Sequence, residues 1–99
     1  MTYQFVKVET ADHITTVTIN RPEVMNALHP PAHVELGQIF DEFDADDSAW
    51  VAIVTGEGEH AFSAGNDLKV TSSGQTFPGL KWKGGFGGLA MRYDLSKPV

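Results

Sequence analysis

Between Gly56 and Leu68 the chain reads Gly-Glu-Gly-Glu-His-Ala-Phe-Ser-Ala-Gly-Asn-Asp-Leu. Glycine and small side chains crowd a stretch that follows an apolar run and precedes a candidate helix opening at Asp67-Leu68-Lys69-Val70. Backbone N–H groups at a helix start have no internal partner, and such groups stabilise developing negative charge. Glycine lets a ligand come close to the main chain. The chemistry this pattern could support is stabilisation of an oxyanion by backbone donors. The same residues also read as an ordinary turn into a helix.

Other chemistry-bearing residues are weaker candidates. His29 and His33 are four apart and share a helical face, but the spacing is common and no third ligand accompanies them. They read as surface histidines, and no metal site is expected. His13 and His60 fall in turns with no serine or cysteine arranged beside them for nucleophilic attack. Gly85-Phe86-Gly87-Gly88-Leu89-Ala90 meets a loose dinucleotide fingerprint, which requires a buried strand before it and an acidic residue about 20 positions later. Leu80-Lys81-Trp82-Lys83 precedes it instead, so the glycines read as a flexible loop. Glu35 and the acidic residues from Asp41 to Asp47 could supply a general acid, but on an amphipathic helix they read as its solvated face.

The elements that must position these residues follow from periodicity. Phe5, Val6 and Val8, a turn at Ala11-Asp12-His13 and the β-branched run Ile14 to Ile19 predict a hairpin ending before Arg21-Pro22. A loop from Pro22 to Pro30 leads to a helix with Ala32, Leu36, Ile39, Phe40 and Phe43 as one apolar stripe. Pro30 and Pro31 suit its start. Asp44 to Asp47 oppose the dipole at its C-terminal end, so the helix should stop there. Trp50 to Thr55 predicts a buried strand. Thr71 to Gly79 is loop-like, and Leu89 to Leu95 predicts a short helix. Strand, helix and strand in alternation indicate an α/β architecture.

Composition bounds the function. Ninety-nine residues make one small domain, and 41% apolar with 20% charged residues is ordinary for a globular protein. No apolar run approaches the ~18 residues of a membrane span, and no signal-peptide pattern opens the chain. The absence of cysteine excludes disulfides, thiolate metal sites and a cysteine nucleophile. It fits a cytoplasmic location. A net charge of −6 argues against general nucleic-acid binding. The charge is uneven. Residues 1–59 hold two basic and eleven acidic groups, whereas residues 60–99 hold five basic groups (Lys69, Lys81, Lys83, Arg92, Lys97) against two acidic ones. The basic part could face a phosphorylated small molecule or be scattered, solvated lysines.

Three motifs in order, Asn20-Arg21-Pro22 with Met25-Asn26-Ala27-Leu28, then Val51 to Gly58, then Ala61 to Lys69, give the chain a resemblance to the enoyl-CoA hydratase/isomerase (crotonase) family. The likeness extends over nearly all 99 residues. Gly85 to Leu89 followed by Tyr93-Asp94-Leu95-Ser96-Lys97-Pro98-Val99 is similar to the carnitinyl-CoA (crotonobetainyl-CoA) dehydratase branch. The resemblance implies the N-terminal part of a spiral of ββα units and an acyl-CoA thioester substrate. No cofactor is implied beyond the coenzyme A moiety itself. It implies that the Asn66 backbone N–H is one of two oxyanion donors, each worth roughly 3–4 kcal/mol in the transition state. It further implies that Ala64, Gly65, Asn66, Asp67, Leu68 and Lys69 line the CoA and acyl groove, with Glu23, Val24 and Met25 as another wall. Lys69 would approach the CoA phosphates or be solvated. Family members continue past the Lys-Pro-Val step into a strand, a second oxyanion glycine, proton-moving glutamates and trimer-forming helices. Residues 1–99 are therefore expected to be the N-terminal portion of a hydratase or dehydratase, inactive alone, from a homotrimeric or hexameric parent. Isomerisation, decarboxylation or thioester hydrolysis on the same scaffold, and a non-catalytic acyl-CoA binding module, are the rival readings.

Overall fold

A computed structural model describes residues 3–99. β1 (Val6–Ala11) and β2 (Ile14–Ile19) form the expected antiparallel hairpin, with Val6 opposite Ile19 and Ala11 opposite Ile14. Asp12 and His13 close it with φ of 52° and 66°, the left-handed pair that a two-residue turn needs to match strand twist. α1 (Pro30–Ala45) crosses over to β3 (Val51–Gly56), which lies parallel to β2 in the order β1-β2-β3. Among the described residues one further short helix follows, α2 (Leu68–Ser72), along with 3-10 turns at Pro22–Val24 and Phe86–Gly88.

The core lies between α1 and one face of the sheet. Leu36, Ile39, Phe40 and Phe43 of α1 pack against Val6, Val17, Ile19 and Ala52, as the two periodicities require. β3 is buried on that face only: Ile53 is half exposed, so the expectation of a strand buried on both sides is corrected. With a strand order that puts β3 at the edge and no helix on its outer face, a continuous apolar sequence was not sufficient to bury it.

Three further expectations change because the tail packs back on α1. The glycines at 85–88 form a turn that sits on α1. A Cβ on Gly88 would stand 2.9 Å from both the Gly37 nitrogen and the Leu36 carbonyl carbon, so the loop is a close backbone contact rather than a flexible segment. Leu89 to Leu95 is not helical. Its polar groups bond sideways: Arg92 Nη2 donates to the Gly37 carbonyl at 2.8 Å, and the Ser96 N–H and hydroxyl both donate to Asp44. The acidic face of α1 is correspondingly not merely solvated. Asp41 pairs with Arg92 and Lys83, Glu35 accepts the Gln4 and Phe5 amides, and Glu42 accepts the Tyr3 hydroxyl. Lys97 Nζ caps α1 by donating to the Phe43 and Asp46 carbonyls, which offsets the acidic C-terminus.

His29 and His33 are buried at 8% and 4% exposure, so the surface reading fails for both. His29 is the N-cap of α1, its Nδ1 accepting the Ala32 N–H. His33 lies on the apolar stripe, with Nδ1 accepting the Gly87 N–H at 3.0 Å and its ring against Trp82 and Phe86. Both rings must be neutral at Nδ1. Burial, then the Arg21 cation for His29 and the neighbouring His29 for His33, lowers each from the usual 6.5. A histidine held neutral stabilises the fold fully above its unfolded value, and the contribution is lost as pH falls through that value toward the folded one. The thermal midpoint is therefore expected to drop between about pH 7.5 and about pH 5.5, well above the range where carboxylates protonate. A circular-dichroism melt that is flat across this window would show that neither ring is held neutral.

Candidate functional site

Two loops face each other at one end of the sheet. The first, residues 21–28, leaves β2, makes the turn at Pro22–Val24 and reverses through Met25 and Asn26, both left-handed at φ 56°. The second, residues 57–67, leaves β3 and enters α2. Asn26 fixes the first against the second. Its Nδ2 donates to the Glu57 and Ala61 carbonyls at 2.9 Å each, while Oδ1 accepts the Arg21 N–H at 3.0 Å. Only 1% of Asn26 is exposed.

Arg21 crosses between the same loops. Nη1 donates to the Ala27 carbonyl and Nη2 pairs with Asp67 Oδ2 at 3.1 Å, both side chains being nearly fully buried. Arg21 Nε is buried without a hydrogen-bond partner among the described residues, and the guanidinium lies over the Phe5 ring. Asp67 is also the N-cap of α2, its Oδ1 accepting the Lys69 and Val70 amides. Burial pushes the Asp67 carboxyl up, but the Val70 amide, the Arg21 guanidinium and the Lys69 amide together outweigh it and hold the group below the ordinary value.

The loops are stitched along their backbones by a parallel bridge between Leu28 and Asn66. The Leu28 N–H donates to the Gly65 carbonyl at 2.7 Å, and the Asp67 N–H donates to the Leu28 carbonyl at 2.9 Å. The Gly65 carbonyl and the Asn66 N–H belong to one planar trans peptide and point opposite ways. The Asn66 N–H is thus turned away from Leu28, and it has no intramolecular acceptor among the described residues. Gly65, at φ +87°, makes the turn that allows this.

A groove of about 350 Å³ is lined by Glu23, Val24, Met25 and Ala27 from one loop and Ala64, Asn66, Asp67, Leu68 and Lys69 from the other. Eight of the nine residues named from the sequence meet there. Gly65 does not: it lines a separate apolar cavity of about 300 Å³ with Ile19, Leu28, Leu36, Phe86 and Leu89. Lys69 is exposed at the groove and makes no ion pair among the described residues, whereas Lys83, Arg92 and Lys97 are committed to α1 or to Asp94. His60 sits in a shallow hollow beside Phe62, and His13 is stacked on Trp50 at the far end of the sheet. A larger concavity on the outer sheet face, about 590 Å³, is a saddle of Lys7, Glu9, Thr16 and Thr18 that gathers no reactive constellation.

A groove lined by Asn66, whose N–H has no partner among the described residues, and by the Lys69 cation can receive an anionic or strongly polarised oxygen of a phosphorylated ligand. Sequence reasoning did not find the Arg21–Asp67 pair or the bridging role of Asn26. The available signal was an arginine directly before a proline after a strand, where a buried cation needs a buried carboxylate.

Residues 9–99 match the family described as enoyl-CoA hydratase/isomerase. A carnitinyl-CoA dehydratase of Citrobacter koseri is 42% identical over 86 residues, covering 87% of this chain and 33% of that protein. One from Proteus mirabilis is 38% identical over 96 residues, covering 97% of this chain and 36% of that protein. Among solved structures, a carnitinyl-CoA hydratase from Mycobacterium avium superposes with a TM-score of 0.76 at 32% identity over 88% of this chain and 34% of that one. A carnitinyl-CoA dehydratase from Mycobacterium avium 104 gives 0.82 at 28% identity, over 95% and 37%. The chain spans about a third of the length of the curated relatives it matches. The α/β expectation and its crotonase-type ββα unit agree with these neighbours.

Proposed function

Because the chain belongs to the enoyl-CoA hydratase/isomerase family, we propose that the groove between residues 23–27 and 64–69 binds an acyl-CoA thioester. The Asn66 N–H then supports addition or loss of water across the enoyl double bond. Loss of a proton α to the thioester, or attack of water at the β carbon, moves an electron pair onto the thioester oxygen. A main-chain donor aimed at that oxygen stabilises the enolate more than the ground-state carbonyl. One observation carries the reading: the bridge to Leu28 uses the Gly65 carbonyl and the Asp67 N–H, so the N–H of Asn66, a groove-lining residue, is left without an acceptor among the described residues.

Met25, Leu68 and the small Ala64 give the groove an apolar lining for the pantetheine arm, and Lys69 offers its cation to the phosphates. The family pattern supplies the second donor and the proton-moving carboxylates from elements with no counterpart in residues 1–99. We therefore assign binding and one half of the oxyanion site to this chain, and expect the 99 residues to bind acyl-CoA without turning it over. The trimeric or hexameric assembly belongs to the same proposal.

The test compares two ligands by calorimetry: butyryl-CoA and its thioether analogue S-butyl-CoA, which lacks the carbonyl. One net hydrogen bond to the carbonyl predicts a preference of roughly 3- to 10-fold for the thioester. Equal affinities would remove the assignment of Asn66, and no binding of either ligand would remove the groove as the CoA site.

A further inference from the structure

Two successive amides lie at the turn that presents the donor, those of Gly65 and Asn66, and only one is left for a ligand. The Gly65 N–H is taken by Ser63 Oγ at 3.1 Å. The same hydroxyl donates its own proton to the Asn26 carbonyl at 2.8 Å. Its rotor is therefore fixed, because with the proton committed to Asn26 a lone pair is aimed at Gly65. Each capacity of the half-buried hydroxyl has a defined use.

This bond differs from the others that join the loops. The Ala64 N–H donates to the Met25 carbonyl, and the Leu28 and Asp67 amides make the bridge, all from main chain to main chain. Ser63 is the one side chain among the described residues that both ties the 63–66 turn to the facing loop and closes the turn on itself. Gly65 at φ +87° has wide conformational freedom, and its amide plane immediately precedes the one bearing the Asn66 N–H. Without an acceptor at Ser63, the Gly65 N–H would lose its partner, and the Gly65–Asn66 peptide would lose its hold on one side.

We propose that Ser63 is a positioning residue: its hydroxyl ties the Gly65 N–H and the Asn26 carbonyl together and so holds the turn that sets the aim of the Asn66 N–H. The inference rests on the proposed role of Asn66. Ser63 does not touch the groove. It borders the apolar cavity beside Gly65.

The test uses the whole chain, Ser63→Ala and Ser63→Thr, with butyryl-CoA and S-butyl-CoA as the ligands. Ser63→Ala is expected to leave thioether affinity within about twofold while the thioester preference, roughly 3- to 10-fold in the unsubstituted chain, falls toward one. Ser63→Thr, which restores the hydroxyl, is expected to restore the preference. A preference that survives Ser63→Ala overturns the proposal. So does a parallel loss for both ligands, since that would make Ser63 a support of the groove as a whole, and so does failure of threonine to rescue. A missing preference in the unsubstituted chain would instead sink the assignment of Asn66 itself, so the two failures are distinguishable.

Discussion

On the proposed role of Asn66, proline at position 66 is expected to cut enoyl-CoA hydration by the protein carrying these residues 10²- to 10³-fold, about 3–4 kcal/mol of transition-state stabilisation, while alanine there changes it by less than about twofold. The contrast follows from which atom does the work. Asn66→Pro deletes an N–H that no internal acceptor uses, so the bridge to Leu28 loses nothing. The residue before a proline is pressed out of the helical region, and glycine at 65 is the residue best able to adapt. Asn66→Ala keeps the N–H and removes an exposed side-chain bond to Thr71 Oγ1. In the chain alone the same pair should separate in the thioester preference, lost in proline and kept in alanine. Steady-state hydration of crotonyl-CoA by the protein carrying these residues reads the larger effect. Equal losses in both variants would mean that the asparagine side chain, and not the main chain, carries the role.

The second large effect is on stability. Asn26→Ala is expected to cost at least about 3 kcal/mol, since two carbonyls and one N–H lose partners in a buried site at ~1–3 kcal/mol each, less any relief from water. A chain of this size holds only about 5–15 kcal/mol in total. Part of the loss belongs to the backbone: at φ +56° asparagine is tolerated better than alanine, by about 1 kcal/mol. Asn26→Gly separates the two terms, because it loses the same three bonds and relieves the strain. Urea unfolding should place the glycine variant between the native chain and the alanine variant. Losses below about 1 kcal/mol in both would mean that Asn26 is not what holds the loops together.

The sequence makes the hairpin, α1 and β3 legible because each has a local cause: β-branched alternation from Ile14 to Ile19, an apolar stripe from Ala32 to Phe43, and a short apolar run at Val51. Eight groove residues were also in view, though through family resemblance rather than through spacing. Gly65 was assigned to the groove with its neighbours, yet a bridged extended segment alternates sides, which sends 64 and 66 one way and 65 the other. His33 was misread by residue type although it lies one position after Ala32 and three before Leu36, on the buried stripe. Leu89 to Leu95 has helical composition, but its partners are on α1 and cannot be read from neighbouring residues. The Arg21–Asp67 pair spans two loops and was invisible for the same reason.

The return of the tail onto α1 also orders the steps by which the chain folds. The bonds that Gly87, Arg92, Ser96 and Lys97 make to α1 or its C-terminal cap bridge separations of 51 to 55 residues. Closing a loop of that length costs only about 1 kcal/mol more than closing one a third as long, so the price is small once α1 exists to receive the tail. Before then most of its partners are missing. The hairpin can zip locally and α1 can condense on it while the tail is still an unstructured chain. The 3-10 turn at Phe86–Gly88 and the caps from Lys97 are therefore expected to close after α1 has formed. Since that turn lines the apolar cavity behind Gly65, the cavity is complete only once the tail has docked on α1.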